Sequence, residues 1–294
     1  MEREIVCGVP MGGLPGETPS LLVGSIFFDR QKLVRDAAAG EFDEEAAKSL
    51  LDLQAQWSQK TCNPSASDVI ASTPKAIRRY LDFVSEHFDG PVMVDGSDAA
   101  VRIAGIEHMA GKNLSHRVMY NSICPESTSK EYEAIKECRV RAAVVLAVDA
   151  ADFGAAAKIR LLTRDDGLLK RTRDSGVRHI LLDPGIIDLP SMDVMKTVIS
   201  QAKNLACFCG SAPHNAIGTW GGLTEKFGLT FKSSATAIVN ALPIAWGGDF
   251  VIYGPMTLAP IVFPAVAMVD AILAQSLLEQ GIIPDVNHPM FKIA

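Results

Sequence analysis

A polar residue recurs at the carboxyl end of short apolar runs, and this pattern constrains the fold more than any other feature. The runs end in Asp95, Asn121, Asp149 and Asp183, and helix-like stretches separate them. Apolar runs that alternate with helical patterns are typical of buried parallel strands. In a closed barrel of such units, the active site lies at the carboxyl ends of the strands. The pattern therefore predicts that four carboxylate or carboxamide side chains share one mouth.

Strand candidates and helix-like stretches alternate along the whole chain. The eight strand candidates cover residues 21–27, 65–71, 91–95, 116–121, 142–149, 177–183, 204–209 and 248–254. This alternation predicts a parallel α/β fold, either a barrel or an open sheet, and one TIM barrel of roughly 250 residues fits the length. We therefore expect a single-domain (β/α)8 TIM barrel over residues 1–294. Residues 1–20, rich in Gly and Pro, are expected to form an N-terminal extension, as a plug or a short hairpin at the bottom of the barrel.

Composition excludes some classes of partner and favours a reducing compartment. The formal net charge is -6 with a pI near 5.5, and no basic stripe is present to neutralise the phosphates of a nucleic acid. The six cysteines have no framework spacing, and the N-terminus does not resemble a signal peptide, so we expect a cytoplasmic protein. The longest apolar stretch, residues 258–274, carries two prolines and an Asp. We interpret it as a loop leading into a buried helix rather than as a membrane span.

The polar strand ends allow two interpretations, as helix caps or as a ligand pocket. Asp and Asn are favoured N-caps, so any one of Asp95, Asn121 and Asp183 could simply cap the following helix. Three such residues after three apolar runs favour a pocket for a ligand rich in N–H donors, or a proton-handling site. After Asp183, Pro184 supplies no backbone donor and Gly185 allows a tight turn that would aim the carboxylate into the mouth.

Two segments that follow the fifth and seventh strands are irregular in pattern. They cover residues 149–163 and 210–228. Because both leave carboxyl ends of strands, we expect long loops that carry functional residues.

Several segments resemble a known family. VMVDGSD, VMYNSI and ILLDPGI resemble the strand ends of pterin-binding barrels, which include dihydropteroate synthases and methyltetrahydrofolate–corrinoid methyltransferases. GGLPGETPSLLVGSIFFDRQKLV, NPSASDVIASTPKAIRRYLDFVSEHFDGPVMVDGSD and CGSAPHNAIGTW are similar to the MtrH subunit of the tetrahydromethanopterin S-methyltransferase complex and to its stand-alone bacterial relatives. The similarity covers nearly the whole chain.

The resemblance implies a homodimeric TIM barrel that moves a methyl group between a corrinoid cobalt and N5 of a tetrahydropterin. We expect tetrahydrofolate to be the methyl acceptor, with tetrahydromethanopterin as the alternative. Because the chain lacks a DxHxxG corrinoid-binding motif, the corrinoid is expected on a separate protein. A different possibility is a subunit whose main role is docking within a membrane methyltransferase complex.

The resemblance also implies roles for individual residues. Asp95, Asn121 and Asp183 would hydrogen-bond the pyrimidine edge of the pterin, since carboxylates match its array of donors. Asp149 is a further pterin-binding candidate.

In the folate–corrinoid enzymes an Asn after the seventh strand lies near N5, and this chain departs from that pattern. Either Asn215 or Ser211 could take this catalytic position, and His214 is either a proton relay or an ordinary loop histidine.

Two competing interpretations are weaker. A zinc site at Cys207, Cys209 and His214 is disfavoured, because cysteines two residues apart on a strand rarely share one metal. We therefore expect no bound metal. A dihydropteroate synthase is disfavoured because its Lys-containing motif after the seventh strand and its phosphate-binding arginine pattern are not found.

Overall fold

Eight parallel strands form a closed barrel in the computed structural model, which describes residues 2–148 and 151–293. Each strand pairs with the next along the chain, and the last pairs with the first. The barrel strands are β1 (Leu21–Ile26), β2 (Ser65–Ala71), β3 (Val92–Gly96), β4 (Val118–Ile123), β5 (Ala142–Leu146), β6 (His179–Asp183), β7 (Phe208–Ser211) and β8 (Phe250–Pro255). The predicted single-domain TIM barrel is confirmed, and the open sheet is excluded.

Helices surround the barrel and connect its strands. They are α1 (Glu44–Thr61), α2 (Pro74–His87), α3 (Ala99–Gly111), α4 (Ser129–Glu137), α5 (Ala155–Thr163), α6 (Leu168–Asp174), α7 (Ser191–Ala202), α8 (His214–Gly218), α9 (Leu223–Ala245), α10 (Ala259–Glu279) and α11 (Met290–Ile293). Short 3-10 turns cover Ser115–Arg117, Lys203–Leu205 and Met256–Leu258. Sequence signals set several helix starts. At α2, for example, the Thr73 hydroxyl accepts a hydrogen bond from the Ala76 N–H and Pro74 is the first helical residue.

An antiparallel hairpin closes the amino-terminal end of the barrel. It pairs Glu4–Val6 with Val9–Met11, and its buried residues pack in one cluster with inward-facing residues such as Met93 and Phe208. A second small antiparallel pair joins Val34–Asp36 to Glu41–Phe42. With the amino-terminal end filled by side chains, the carboxyl ends of the strands form the open mouth.

The two irregular segments are more helical than expected. Residues 149–163 contain α5, and residues 210–228 contain α8 and the start of α9. The prediction of long loops was wrong there. Alanine, Leu and Lys in AAAKIRLL are strong helix formers, so only a short connection remains before α5.

The apolar stretch at residues 258–274 is almost entirely helical. The loop expected ahead of a helix is only the 3-10 turn Met256–Leu258, because Pro260 lies in the first turn of α10, where a missing N–H costs nothing. By length and composition alone, Met256–Glu279 is long and apolar enough to cross a membrane, with a mean hydropathy of 2.0. One face of α10 packs against the barrel through Val262 and Phe263, and the other face exposes Met268 and Ile272.

A buried polar network ties α10 to the amino-terminal end of the barrel. The Asp270 carboxylate accepts hydrogen bonds from the Ser20 N–H at 3.1 Å, the Ser20 hydroxyl at 2.7 Å and the Asn63 side-chain amide at 2.6 Å. Asp270 is only 1% exposed, and burial raises its pKa to about 6. Three donors from the residues flanking β1 and α1 therefore depend on one acceptor.

Candidate active site

A pocket of about 350 Å³ opens at the carboxyl ends of the barrel strands. This volume lies in the range of sites for small organic ligands. Five residues that the sequence predicted for the site line it, namely Asp95, Asn121, Asp183, His214 and Asn215. The structure adds three polar residues that the sequence analysis did not propose, Ser25, Asp68 and Ser122.

The strand register explains why Asp68 and Asn121 meet. A TIM barrel takes the side chains of one layer from alternate strands, and a shear of eight over eight strands raises the layer by about one residue per strand. Asp68 of β2 pairs with Met93 of β3, which pairs with Met119 of β4. The residue level with Asp68 on β4 therefore lies two positions beyond Met119, at Asn121. Its side-chain amide does donate to Asp68, at 3.1 Å.

The same construction places Asp183 in that layer. Met119 of β4 pairs with Ala142 of β5, and Ala142 pairs with His179 of β6. Four strands from β2, the layer has risen by about four residues, and four residues beyond His179 is Asp183. Asp68, Asn121 and Asp183 thus form the uppermost interior layer of the barrel, which is the floor of the pocket.

The alternative that the polar strand ends cap helices is excluded for the helices that follow them. The N-cap of α3 is Asp98, whose carboxylate accepts from the Val101 N–H at 3.0 Å. The N-cap of α4 is Thr128, which forms a capping box, and that of α7 is Pro190. The side chains of Asp95, Asn121 and Asp183 are therefore free of a capping role and line the pocket instead.

Asp68 was missed because the sequence analysis searched only the ends of apolar runs. It is the fourth residue of β2 and is 2% exposed. Ser25 donates to one oxygen of its carboxylate at 2.8 Å, and Asn121 donates to the other. Burial raises the pKa of Asp68 to about 6. A charged residue in the middle of an otherwise buried strand was the signal that could have revealed it.

Asp95 lies beside Asp68 and is braced from behind. Burial and the neighbouring Asp68 carboxylate raise its pKa well above the ordinary value, while Arg102 opposes that shift. Arg102 donates to the Gly96 carbonyl at 2.9 Å and to the Glu131 carboxylate at 2.7 Å. This ion pair is almost inaccessible to solvent, so it fixes the turn that carries Asp95.

Asp183 is held by the turn that the sequence predicted. The Gly185 N–H donates to its carboxylate at 2.7 Å, and Gly185 has a φ of +73°. A Cβ at Gly185 would lie 2.2 Å from a methyl carbon of Val148, so only glycine fits there. Burial raises the pKa of Asp183 to about 6, while the Gly185 N–H, the Lys158 ammonium and the Ala212 N–H act in the opposite direction.

The residues after β7 divide between the pocket and the helical layer. His214 and Asn215 line the pocket, but Ser211 does not. Because side chains alternate along a strand, Phe208 faces the barrel interior and Ser211 faces outward. The Ser211 hydroxyl donates to the Met195 sulfur at 2.8 Å and is fully buried. The structure therefore does not support Ser211 as a catalytic residue.

His214 and Asn215 occupy the first turn of α8. Burial lowers the pKa of His214, so its imidazole is neutral near pH 7, and its buried Nδ1 has no hydrogen-bond partner among the described residues. The ring packs on Gly254, where a Cβ would come within 2.6 Å of it. The Asn215 amide nitrogen donates to the Ile186 carbonyl at 3.2 Å, which leaves its oxygen available to a ligand.

Two remaining predictions concern Asp149 and a metal. Asp149 lies outside the described residues. Within the described residues, no group of three or more His, Cys, Asp or Glu side chains is arranged to hold a metal ion. Chemically, the pocket offers three carboxylates, two carboxamides and a neutral imidazole. Such a set accepts hydrogen bonds from several N–H donors and can take up a proton.

Comparisons with known proteins agree with this geometry. The profile of the family described as the tetrahydromethanopterin S-methyltransferase MtrH subunit matches residues 3–284. The corresponding protein from Methanocaldococcus jannaschii is 34% identical, over 98% of this chain and 96% of the relative. The one from Methanopyrus kandleri is 32% identical, over 97% of this chain and 94% of the relative.

The solved structures that resemble the chain are pterin-binding TIM barrels. A dihydropteroate synthase from Yersinia pestis, solved with a pterin–sulfa conjugate, superposes with a TM-score of 0.66 over 92% of this chain and 98% of its own. At 11% identity this likeness shows the fold alone. The match to the family profile and the identity to its members over nearly the full length go further. The chain belongs to the MtrH family of tetrahydromethanopterin S-methyltransferase subunits.

Proposed function

We propose that this protein transfers a methyl group from a methylated corrinoid to N5 of a tetrahydropterin. The observation that carries the proposal is the layer of Asp68, Asn121 and Asp183 on the pocket floor, with Asp95 beside it. The pyrimidine edge of a pterin presents an N3–H and a 2-amino group, which need acceptors of this kind. Membership of the methyltransferase family supports the reaction type.

The pterin itself has two candidates. The relatives from methanogens are named for tetrahydromethanopterin, which favours that pterin as the methyl acceptor. The resemblance to stand-alone bacterial relatives had instead favoured tetrahydrofolate. Both molecules carry the same pyrimidine edge, so the acidic layer suits either, and a direct comparison of the two acceptors decides between them.

The chemistry requires positioning and a route for one proton. N5 attacks the methyl carbon, an N–C bond forms, and the Co–C bond breaks with its electron pair left on cobalt as Co(I). The acidic layer orients the pterin, and the free oxygen of Asn215 is placed to contact the N5 region. The neutral imidazole of His214 accepts the proton that N5 loses.

An anaerobic assay tests this proposal. The protein is mixed with methylcobalamin and either tetrahydromethanopterin or tetrahydrofolate, and the cobalt absorption spectrum is followed. We expect conversion of methyl-Co(III) to Co(I) with at least one pterin, and a larger rate constant with tetrahydromethanopterin. Absence of pterin-dependent conversion with both acceptors, and also with corrinoid proteins as donors, would contradict the proposal.

We also propose two partners, a separate corrinoid protein and a second copy of the chain. The corrinoid must reach the mouth of the barrel, where the pterin pocket opens. For the second copy, the outer surface of α9 and α10 exposes Ile238 at 55%, Met268 at 56% and Ile272 at 62%. Apolar side chains on the outer face of such a helix favour a further buried contact. The relatives are named as subunits, which keeps assembly into a larger complex as the alternative.

A further inference from the structure

We infer that Asp68 is a positioning residue, which holds the Asn121 carboxamide with its oxygen directed to the ligand and its nitrogen directed to Asp68. The inference rests on the proposed function, because the ligand in question is the tetrahydropterin. None of the predicted strand ends includes Asp68, which lies in mid-strand beneath them.

Hydrogen-bond chemistry dictates the orientation of the amide. An ionised carboxylate only accepts hydrogen bonds, whereas a carboxamide presents an acceptor on one side and donors on the other. The Asn121 nitrogen lies 3.1 Å from one oxygen of Asp68, and the Ser25 hydroxyl lies 2.8 Å from the other. Turning the amide over would set two acceptor oxygens against each other. No described residue donates to the Asn121 oxygen, so that atom remains for a donor of the ligand.

Backbone geometry makes this contact rigid. Asp68 and Asn121 lie on β2 and β4 of the closed barrel, and β3 pairs with both strands in continuous register. Neither side chain is on a loop, so the distance between them is set by the sheet. A site built on strands holds its hydrogen-bonding groups more precisely than one built on loops.

Asp68 is a poor choice on structural grounds alone. It is 2% exposed, it has no cationic partner among the described residues, and its two hydrogen bonds come from neutral groups. Burying a carboxylate with only neutral partners destabilises a fold relative to a neutral side chain of the same shape. An asparagine would fill the same volume, but it could present either its oxygen or its nitrogen to Asn121. The carboxylate therefore adds a fixed orientation of Asn121 at a cost in stability.

Asp68 also acts on Asp95. After burial, the neighbouring Asp68 carboxylate is the main factor that raises the pKa of Asp95. Removing the charge of Asp68 should let Asp95 ionise at lower pH. The low-pH limb of pterin binding should then move to lower pH, which a purely structural role of Asp68 would not produce.

Binding measurements on a set of variants test the inference. The variants are Asp68→Asn, Asp68→Ala, Asn121→Ala and the double variant Asp68→Ala/Asn121→Ala. The control is Ser67→Ala, since Ser67 is the adjacent buried residue and its hydroxyl has no partner among the described residues. The dissociation constants of tetrahydrofolate and tetrahydromethanopterin are measured anaerobically by calorimetry across pH, and circular dichroism checks the fold.

The expected result is a loss of affinity that depends on Asn121. We expect Asp68→Ala to weaken binding by about tenfold, the scale of one hydrogen bond. In the Asn121→Ala background the same change should have little further effect, because the two residues act through one contact. Asp68→Asn should recover part of the affinity and move the low-pH limb downward, while Ser67→Ala should match the wild type.

Three results would overturn the inference. Additive losses in the double variant would show that Asp68 acts independently of Asn121. Wild-type affinity and pH dependence in Asp68→Asn would show that the charge is immaterial, and this isosteric variant decides the matter if Asp68→Ala does not fold. If the wild-type protein binds neither pterin, the proposed function fails and the role of Asp68 fails with it. Pterin binding that is insensitive to Asp68 removes only the role of Asp68.

Discussion

Replacing Asp183 with Asn should change pterin affinity and protein stability in opposite directions. The substitution keeps the shape of the side chain, and its remaining oxygen can still accept from the Gly185 N–H, which lies 2.7 Å from the wild-type carboxylate. What it removes is a charged acceptor on the pocket floor. Losing one charge-assisted hydrogen bond to the ligand costs about 1.5–3 kcal/mol, or roughly a tenfold to a hundredfold loss of affinity.

The effect on stability follows from the pKa of the buried carboxyl group. Burial raises the pKa of Asp183 from 3.8 to about 6, and the side chain is only 4% exposed. A group whose pKa is higher in the folded than in the unfolded chain weakens folding as the pH rises between these two values. Above about pH 6 the full cost is present, and a shift of about two units corresponds to about 3 kcal/mol. Asp183→Asn should therefore raise the free energy of unfolding near pH 8 by up to that amount, and should change it little below pH 4.

Two assays measure these opposite effects. Calorimetric titration with tetrahydropterin gives the affinity, and urea unfolding of the ligand-free protein at pH 4.5 and pH 8 gives the stability. A variant with weaker binding and lower stability at pH 8 would show that Asp183 supports the fold rather than the ligand. Unchanged affinity would remove Asp183 from the pterin site.

Three further predictions concern other parts of the molecule. Asn215→Ala should lower the rate of methyl transfer at saturating pterin more than it lowers pterin affinity, because the contact acts near N5; equal losses in rate, affinity and melting temperature would indicate a role only in the loop. Asp270→Ala should lower the free energy of unfolding by about 2–4 kcal/mol, as it strands buried donors of Ser20 and Asn63, and pterin affinity measured on the folded protein should not change. Ile272→Glu should convert a homodimer to a monomer in sedimentation experiments, and a monomeric wild-type protein would contradict the proposed dimer.

The sequence revealed the fold and most of the pocket because both depend on short-range patterns. Apolar runs ending in Asp95, Asn121 and Asp183 locate the carboxyl ends of three strands, and parallel strands bring those ends to one mouth. The turn after Asp183 was also visible, since Pro184 and Gly185 have strong local preferences. Family resemblance then identified the kind of ligand that such a mouth accepts.

The errors arose where the outcome depends on register or on tertiary contacts. Ser211 was assigned to the pocket because the seventh strand was predicted to end at residue 209, whereas Phe208–Ser211 is the strand and Ser211 faces the helices. Asp68 was overlooked because its partner Asn121 lies 53 residues away, and only the barrel register brings the two together. The helices after β5 and β7 were missed because Gly and Pro near their starts resembled loop signals.

Transfer of an isotope-labelled methyl group tests the proposed reaction most directly. The protein is incubated anaerobically with ¹³C-methylcobalamin and a mixture of tetrahydromethanopterin and tetrahydrofolate, and the products are identified by NMR. We expect the label at N5 of one tetrahydropterin, with one Co(I) formed for each methyl group transferred, and loss of both products in Asp183→Asn at limiting pterin. Label that remains on cobalt with both pterins present, or appears on any atom other than N5, would contradict a methyltransferase built on this acidic layer.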